Sequence, residues 1–362
     1  MRVCIYTKTL TQRLDEGMVR VAYEIVRQLS KHHEVLTLFS TGDAPEKEGL
    51  IRIPTNRSVF NLRLRAEIRR FRPDVILFIP RAPASLSSLL LARVLRWYGG
   101  SADLTMLTPQ ANGFTSLSRK CVPLLKPDLV LATSRKDQRE LVALGCVAQF
   151  VPLGVDIERF TPVTPSRKRE LRRRYGIGEE DTIALHVGHI REGRNLRALE
   201  RIQDSGNQVL IVGSTFFPHE ANLVDDLEAH RIRFLTGYLD HIEEIYQLAD
   251  WYVFPTLSEK ACISQPLSVL EAMACNLPVV STRFGGLPDL FPSEGGGLFY
   301  CDSNSELAAK FESVREGFRH ASPRTRELAE QFSWDRSCRK ILRFVEGSHS
   351  PPVPATRAGD NA

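Results

Sequence analysis

The chain has 362 residues, which suits two globular domains of average size, each large enough to bury its own core. Its 43% hydrophobic and 25% charged residues exclude an intrinsically disordered or membrane-embedded protein. The formal net charge of +5 favours anionic ligands or surfaces but is too small to require a nucleic-acid partner, and no DNA-binding motif is recognisable.

Short apolar runs alternate with amphipathic stretches from the first residue, a pattern typical of parallel strands joined by crossover helices. Between the first two runs, Met18 to Lys31 carries apolar residues at the three-four spacing of a helix packed on a sheet. The sequence therefore predicts a doubly wound first sheet. Its strands are expected at Val3 to Tyr6, Val35 to Phe39, Val75 to Ile79, Leu104 to Leu107, Leu129 to Ala132 and Gln149 to Val151.

The pattern breaks at Pro152 to Asp156 and restarts after a basic helix spanning Ser166 to Tyr175. We predict an α/β protein in which two Rossmann-like, doubly wound domains, residues 1–155 and 156–347, face each other across a cleft. The last helix of the second domain is expected to pack back on the first, and the proline-containing tail 348–362 to be disordered. The second sheet's strands are expected at Ile183 to Val187, Gln208 to Val212, Arg233 to Leu235, Trp251 to Pro255, Pro278 to Ser281 and Gly297 to Tyr300.

Seven cysteines are scattered through the chain without a Cys-x-x-Cys pair. This pattern predicts reduced thiols rather than a disulfide framework or a zinc site. The first residues run into a strand pattern without the features of a signal peptide, and no apolar run reaches the roughly 18 residues of a membrane-spanning helix. We therefore expect a cytoplasmic protein.

The densest motif signal lies between residues 248 and 289, where the pattern predicts a strand, a loop, a helix, a second strand and a glycine-rich turn. In a doubly wound sheet, ligands bind beyond the carboxyl ends of the strands, so these loops are expected in the crevice. The helix expected to begin at Pro266 and Leu267 would point unpaired N–H groups at a phosphate. One turn later, Glu271 is a candidate acceptor for both hydroxyls of a ribose, or else a solvated carboxylate.

This stretch resembles the group 1 (family four) glycosyltransferases, which are retaining enzymes with the GT-B fold. The resemblance extends over nearly the whole chain. It is carried further by Gly17-Met18, His33-Glu34-Val35, Val151 to Asp156, Val187-Gly188, Arg194-Asn195, Gly237-Tyr238-Leu239 and Phe332-Ser333-Trp334. The family implies transfer of a sugar from a nucleoside diphosphate donor to an acceptor in carbohydrate biosynthesis, usually without a metal and with no other cofactor. The absence of an Asp-x-Asp metal motif agrees with this.

Departure of a diphosphate develops negative charge, so the chemistry needs fixed positive groups aimed at the phosphates. In the family these are an Arg directly after the glycine that matches Gly188 and a Lys five residues later. Here His189 and Arg194 occupy those positions, and both are predicted to be catalytic. Arg194 preserves the charge, whereas His189 preserves it only when protonated, so turnover is expected to fall as pH rises through the titration of His189. Arg191 is an alternative cation from the same loop, or a solvated charge.

A second departure concerns the family's pair of glutamates. Ile263 occupies the first glutamate position, and the nearest acid is Glu259. Either a short insertion carries Glu259 into the catalytic place near the donor sugar, or the role is absent. Ser264 and Gln265 are neutral candidates for contacts to the sugar hydroxyls.

A third departure lies in the first domain, where the family has a His beside the donor sugar. The matching loop offers Gln110, which can hydrogen-bond a sugar hydroxyl but cannot take a proton. Gly17 would allow the diphosphate to approach a helix N-terminus closely, and Gly285 and Gly286 would form a turn beside the nucleotide or sugar. The alternative for each glycine is that it is needed only for the backbone conformation of the turn and does not contact a ligand.

The basic segment Arg63 to Arg72 predicts a helix that either contacts anionic lipid at the inner face of the membrane or is simply solvated. The donor is expected to be a UDP- or GDP-linked hexose, and the acceptor a glycan, a lipid-linked sugar or a small molecule.

Two other functions stay open. One is a non-catalytic relative that keeps the nucleotide pocket and serves as a binding or partner subunit, which the residues at His189, Ile263 and Gln110 favour. The other is a nicotinamide dehydrogenase, which is disfavoured because no Gly-x-Gly-x-x-Gly turn follows the first strand.

Overall fold

The computed structural model describes residues 1–54, 60–81, 83–110, 113–318 and 322–347. The tail predicted to be disordered, residues 348–362, lies outside the described residues. Two parallel sheets, one in each half of the chain, organise the described part.

Among the described residues, the first sheet has seven parallel strands. Their bounds are β1 Arg2–Thr9, β2 Glu34–Thr41, β3 Leu50–Arg52, β4 Val75–Ile79, β5 Asp103–Thr108, β6 Leu129–Ala132 and β7 Ala148–Phe150. Their order in the sheet is β3-β2-β1-β4-β5-β6-β7, so the chain winds outward from β1 in both directions. Every residue of β4 is buried, as expected for a parallel strand covered on both faces.

In the described part of this half, five helices lie between the strands. Their bounds are α1 Gly17–Leu29, α2 Leu62–Phe71, α3 Leu86–Gly99, α4 Ser116–Leu125 and α5 Arg135–Ala143. The predicted apolar stripe of α1 is buried against the sheet, with Val19, Ala22 and Ile25 at most 2% exposed. Because α1 follows β1 in the chain, its start at Gly17 lies on the carboxyl-end side of β1.

The second sheet has six parallel strands in the order β10-β9-β8-β11-β12-β13. These strands are β8 Ile183–Gly188, β9 Gln208–Gly213, β10 Arg233–Leu235, β11 Trp251–Phe254, β12 Val279–Thr282 and β13 Leu298–Cys301. The α-helices of this half are α6 Pro165–Arg174, α7 Glu200–Asp204, α8 Ala221–Ala229, α9 Ile242–Leu248, α10 Leu267–Ala274, α11 Leu287–Leu290, α12 Asn304–Gly317, α13 Thr325–Ala329 and α14 Trp334–Gly347. Short 3-10 helices occupy Glu192–Arg194, Leu196–Leu199 and Glu330–Phe332.

All twelve predicted strands are present, with ends within two or three residues of the expected ones. The sequence did not predict β3, which has three residues and pairs only with β2 at the edge of the sheet. Its residues are only partly buried or exposed, so this strand lacks the apolar run that marked the others.

Within the described residues, the chain crosses between the two halves twice, and the two crossings lie side by side. The Val155 N–H donates to the carbonyl oxygen of Phe332 at 2.8 Å, next to the predicted domain boundary. A Cβ on Gly154 would lie 2.5 Å from the Cα of Trp334, so only glycine allows the two backbones this close. Beyond Trp334, α14 packs against α1 of the first half.

Candidate active site

The carboxyl ends of the two sheets meet at a cleft, and a cavity there is lined by both halves of the chain. The first half contributes the start of α1 and the residues before it. The second half contributes the ends of β8 and β9, the segment after β10 and the start of α10. This is the crevice in which doubly wound sheets bind ligands.

The start of α1 forms the first-half wall of the cavity. Gly17 is the first residue of the helix, and a Cβ there would lie 3.2 Å from Cδ1 of Ile263 in the opposite half. Glu16 is the N-cap residue, and its carboxylate accepts a hydrogen bond from the Val19 N–H at 2.8 Å. The chain thus supplies its own anion at this helix N-terminus.

The start of α10 forms the opposite wall. Pro266 is the N-cap residue and Leu267 the first helical residue, and both line the cavity. Glu271 lies one turn further on the same wall, where its carboxylate accepts a hydrogen bond from the Tyr246 hydroxyl at 2.8 Å. Burial raises the pKa of Glu271, and the positive charge of Arg20 from α1 acts in the opposite direction.

Arg194 ends the 3-10 helix that follows β8 and is only 7% exposed. It lines the cavity, and among the described residues its Nε has no hydrogen-bond partner. A buried guanidinium N–H without an acceptor costs free energy, so an anion in the cavity would stabilise this residue. A Cβ on Gly188 would lie 3.2 Å from Nη1 of Arg194, so the glycine lets the guanidinium lie against the end of β8.

His189 also lines the cavity, and its ring packs edge-on against Phe217 at 5.2 Å between centroids. Burial and the nearby charges of Arg194 and Arg191 lower the pKa of His189 to about 4. The imidazole is therefore neutral at physiological pH in the unliganded cleft. This corrects the expectation, based on an ordinary histidine, that His189 titrates near neutrality.

Two family models match the chain, one over each half. The model described as Glycosyltransferase Family 4 matches residues 16–159, and the model described as Glycosyl transferases group 1 matches residues 183–316. These ranges contain every residue that lines the cavity except Leu14 and Asp15. The chain belongs to the group 1 (family four) glycosyltransferases.

Curated members of this family are similar to the chain at moderate identity. The sulfoquinovosyl transferase of Arabidopsis thaliana is 28% identical over 301 residues, which are 77% of this chain and 58% of the relative. The D-inositol 3-phosphate glycosyltransferase of Mycobacteroides abscessus is 29% identical over 65% of this chain and 56% of its own length. The chain thus spans just over half the length of these two relatives.

Solved structures share the fold along almost the whole chain. A glycosyltransferase from Rickettsia africae matches with a TM-score of 0.77 at 16% identity, covering 96% of this chain and 98% of that one. Anabaena HepE in complex with UDP matches with a TM-score of 0.75 at 15% identity, covering 96% and 100%. The predicted GT-B fold is confirmed.

Glu259, the candidate second carboxylate of the family pair, lies outside the cavity. Its side chain forms an ion pair with Lys136 of the first half at 2.6 Å, and both side chains are at least one-third exposed. The first position of the family pair is filled by Ile263, which is 4% exposed and lines the cavity. The described structure therefore brings an alkyl side chain, not Glu259, to this place.

Four residues lie at contacts between the two halves: Ser264 and Gln265, predicted to contact the sugar hydroxyls, and Gly285 and Gly286, predicted to form a turn beside the nucleotide or sugar. Gln265 is fully buried, accepts from the Leu153 N–H at 2.6 Å and donates to the carbonyl oxygen of Thr133 at 2.6 Å. The Ser264 N–H donates to the carbonyl oxygen of Pro109 at 2.7 Å. The predicted glycine turn lies at the same contact. A Cβ on Gly285 would lie 2.5 Å from the Ser264 carbonyl oxygen, and one on Gly286 would lie 2.3 Å from that of Thr133.

Gln110, the residue in place of the family's histidine, follows Pro109 at this contact between the halves. It is partly buried and is not among the residues that line the cavity. The structure therefore does not bring Gln110 together with Arg194 and Glu271.

Two cavity arginines were not predicted from the sequence: Arg20 on α1 and Arg159 before α6. Arg20 is 6% exposed and pairs with Glu24 at 3.3 Å, four residues along the helix. This spacing is visible in the sequence: two opposite charges at i and i+4 lie beside the apolar stripe of α1, on a face that a two-sided cleft can bury. Arg159 pairs with Glu243 at 2.8 Å and carries no such local signal.

Among the residues that the structure describes, no cluster of three or more His, Cys, Asp or Glu side chains is placed to hold a metal ion. None of the described helices combines the length and apolar character needed to cross a bilayer.

Proposed function

We propose that the chain is a retaining glycosyltransferase that moves a hexose-type sugar from a UDP- or GDP-linked donor to an acceptor, without a metal. The observation that carries the proposal is Arg194, a buried cation with an unpartnered Nε that faces a cavity between two Rossmann-like domains. A diphosphate supplies the missing acceptor. The family to which the chain belongs supports the reaction class.

The nucleotide end of the donor lies along α10. Glu271 in its ionised form accepts hydrogen bonds from the ribose hydroxyls, and the N–H groups at the start of α10, from Leu267 onward, face the phosphates. Neutral His189, whose buried Nδ1 has no partner among the described residues, contributes a hydrogen bond rather than a charge.

Bond breaking leaves negative charge on the diphosphate, and Arg194 lies where it stabilises that charge. Since Ile263 stands in the family's glutamate position and Glu259 is held by Lys136, no carboxylate at either position reaches the sugar in this geometry. The departing phosphate then accepts the proton of the attacking hydroxyl, and acceptor attack on the face it leaves retains the anomeric configuration.

The relatives support the choice of donors but not of one acceptor. HepE of Anabaena is solved in complex with UDP and with UDP-glucose, and a mycobacterial relative, 25% identical over 69% of this chain, is a GDP-mannose-dependent mannosyltransferase. The acceptor of this chain is proposed as a glycan, a lipid-linked sugar or a small molecule.

The proposal is tested in two stages. Thermal unfolding with UDP, GDP, ADP and their sugar conjugates selects the donor, since a ligand at about a hundred times its Kd adds about 2.7 kcal/mol of stability. Proton NMR of the reaction with that donor then identifies the anomer formed, with Arg194→Ala as the matched inactive variant. An inverted product would overturn the retaining mechanism.

The rival function, a non-catalytic nucleotide-binding subunit, is favoured by Ile263 and by the neutral state of His189. It gives a different result in the same experiment. Tight binding of a nucleotide sugar with neither transfer nor slow hydrolysis, for every acceptor class tried, would establish the rival.

We further propose that α2 brings the enzyme to the inner face of the membrane from the cytoplasm. Leu62 is 80% exposed and Trp97 on the adjacent α3 is 55% exposed, and the Arg65 guanidinium lies 4.6 Å from the Trp97 ring centroid. Exposed apolar side chains beside Arg63 and Arg69 suit an anionic lipid surface. The seven cysteines are all free thiols, which suits a reducing compartment.

Sedimentation with phosphatidylglycerol vesicles tests this contact. The wild type is expected to bind these vesicles and not phosphatidylcholine ones, and Arg63→Glu with Arg69→Glu to lose binding. Arg173→Glu, an exposed position on α6 in the other half, is the matched control. Equal binding by all three proteins would remove α2 from the membrane contact.

A further inference from the structure

The start of α1 is an anion-binding position that the chain fills with its own carboxylate. Glu16 accepts hydrogen bonds from the backbone N–H groups of Met18 and Val19, the latter at 2.8 Å. These N–H groups and the helix dipole would otherwise face a ligand anion. Glu16 also lines the cavity, beside Gly17.

A separate observation shows that the same cavity suits an anion. Arg194, on the opposite wall, is nine-tenths buried and its Nε has no partner among the described residues. The Cys262 thiol hydrogen-bonds to Arg194 and lies within the electrostatic reach of both Arg194 and Glu16. An anion held by Arg194 therefore approaches the Glu16 carboxylate.

Charged groups from several elements act on Glu16. Burial raises the pKa of Glu16, the two backbone N–H groups and Arg81 from the β4–α3 connection lower it, and neighbouring Asp15 raises it. The Asp15 carboxylate is held by the N–H and hydroxyl of Thr215, in the other half. Arg20 on α1 and His189 on the far wall line the same cavity.

We propose that Glu16 binds the donor's diphosphate in its protonated form, so that donor and one proton enter the cleft together. An ionised Glu16 repels the diphosphate, whereas the acid donates its O–H to a phosphate oxygen and keeps its other oxygen on the helix N–H groups. The proton comes from solvent and no covalent bond changes. This inference rests on the proposed function, because it needs a diphosphate in the cleft.

The experiment is calorimetric titration with whichever of UDP, GDP or ADP stabilises the protein most. Each titration is run in two buffers of different ionisation enthalpy, from about pH 6 to 9. The wild type should take up as much as one proton per ligand, and its affinity should fall up to about tenfold per pH unit once Glu16 is ionised in the free protein.

Glu16→Gln separates the proton from the hydrogen bonds, because an amide can both cap the helix and donate to phosphate. This variant should bind with no proton uptake and should exceed the wild-type affinity by about tenfold or more at the alkaline end. Asp15→Asn is the matched control, a neighbouring acid in the same cavity, and it should keep the proton uptake.

The outcomes separate the two proposals. Nucleotide binding by the wild type without proton uptake would overturn the role of Glu16 and leave the proposed function standing. Proton uptake that survives in Glu16→Gln but is lost in Asp15→Asn would assign it to Asp15 instead. Absence of nucleotide binding at every pH would overturn both. The absence of proton uptake by the wild type would overturn the inference even where the Gln variant fails to fold.

Discussion

The two walls of the cleft differ in charge. In the proposed function, the second-domain wall offers Arg194 and the start of α10 to a diphosphate and Glu271 to a ribose. The first-domain wall carries the acids Asp15 and Glu16 directly before Gly17, and one arginine, Arg20. The arginine of the first wall is already paired with Glu24, whereas the Nε of Arg194 on the second wall has no partner among the described residues. We infer that the second domain supplies most of the free energy of nucleotide binding. The first domain, through the protonation of Glu16, determines the pH range in which the nucleotide binds.

The largest expected effect falls on the second wall. Arg194→Ala should weaken UDP binding by about tenfold to a hundredfold, since hydrogen bonds to charged groups contribute about 1.5–3 kcal/mol. Uridine, which lacks the phosphates, should lose little. Calorimetry with both ligands measures the difference.

Arg197→Ala is the matched control for this prediction. Arg197 lies three residues further on, but its guanidinium is held at the surface by Glu192 and Asp226. Equal losses for UDP and uridine in Arg194→Ala would mean that Arg194 acts through folding, and the contrast between the walls would lose its main support.

The next effect concerns the contact that holds the walls together. Gln265→Ala removes the buried interdomain hydrogen bonds of this side chain and leaves the Leu153 N–H and the Thr133 carbonyl without this partner, which should cost about 2–3 kcal/mol of unfolding free energy. Chemical denaturation measures it. Gln247→Ala, which removes one bond to Thr161, should cost less. If Gln265→Ala left the stability unchanged and raised the KM for the donor, Gln265 would be a sugar-binding residue as the sequence predicted.

Glu271 should give a smaller effect that depends on pH. Its pKa is raised, so uridine affinity should increase as pH rises through that pKa and level off once the carboxylate is ionised. Glu271→Gln should bind uridine about tenfold more weakly than the wild type at neutral pH and without this pH dependence. Calorimetry at acidic and neutral pH checks both expectations.

The same raised pKa predicts the sign of a stability change. The folded protein holds the Glu271 proton to higher pH than the unfolded chain does, so its contribution to stability is present below the unfolded pKa and is lost as pH rises through the folded pKa. Glu271→Gln should therefore melt at a higher temperature than the wild type at neutral pH. A lower melting temperature would contradict the burial penalty.

The smallest effect is expected at Glu259. Its exposed ion pair with Lys136 should contribute no more than about 1 kcal/mol, and Glu259→Gln should change turnover by less than about twofold. Lys136→Met, which removes the other partner of the ion pair, should have equally small effects on stability and turnover. A loss of kcat in Glu259→Gln but not in Lys136→Met would mean that this carboxylate contacts the sugar. It would contradict the placement of Glu259 outside the site.

The strands and the second wall could be predicted because their signals are local. Buried parallel strands are continuous apolar runs, as in β4, and Glu271 lies one turn into a helix whose start the sequence marks with Pro266. Arg194 was predicted through the family resemblance, which implies a cation six residues after the glycine that matches Gly188. Each of these signals is complete within about ten residues of sequence.

The remaining features depend on how the two domains meet, which no local pattern specifies. Gln265 bonds to residues more than one hundred positions away, and the low pKa of His189 arises from burial and two arginines gathered around it. Glu16 was not predicted as a site residue because glutamate is not a favoured N-cap residue. Only the folded helix shows that its carboxylate accepts a hydrogen bond from the Val19 N–H.

The paired crossings at Gly154 and Trp334 limit the ways in which the cleft can open. A single flexible connection would let one domain swivel about any axis relative to the other. The two connections lie side by side and are joined by the hydrogen bond from Val155 to Phe332. Rotation of one domain about the axis through both connections is therefore the least restrained motion. The domains should therefore open by a hinge rotation about this single axis. Such a rotation widens the entrance of the cleft and keeps Glu16 opposite Arg194.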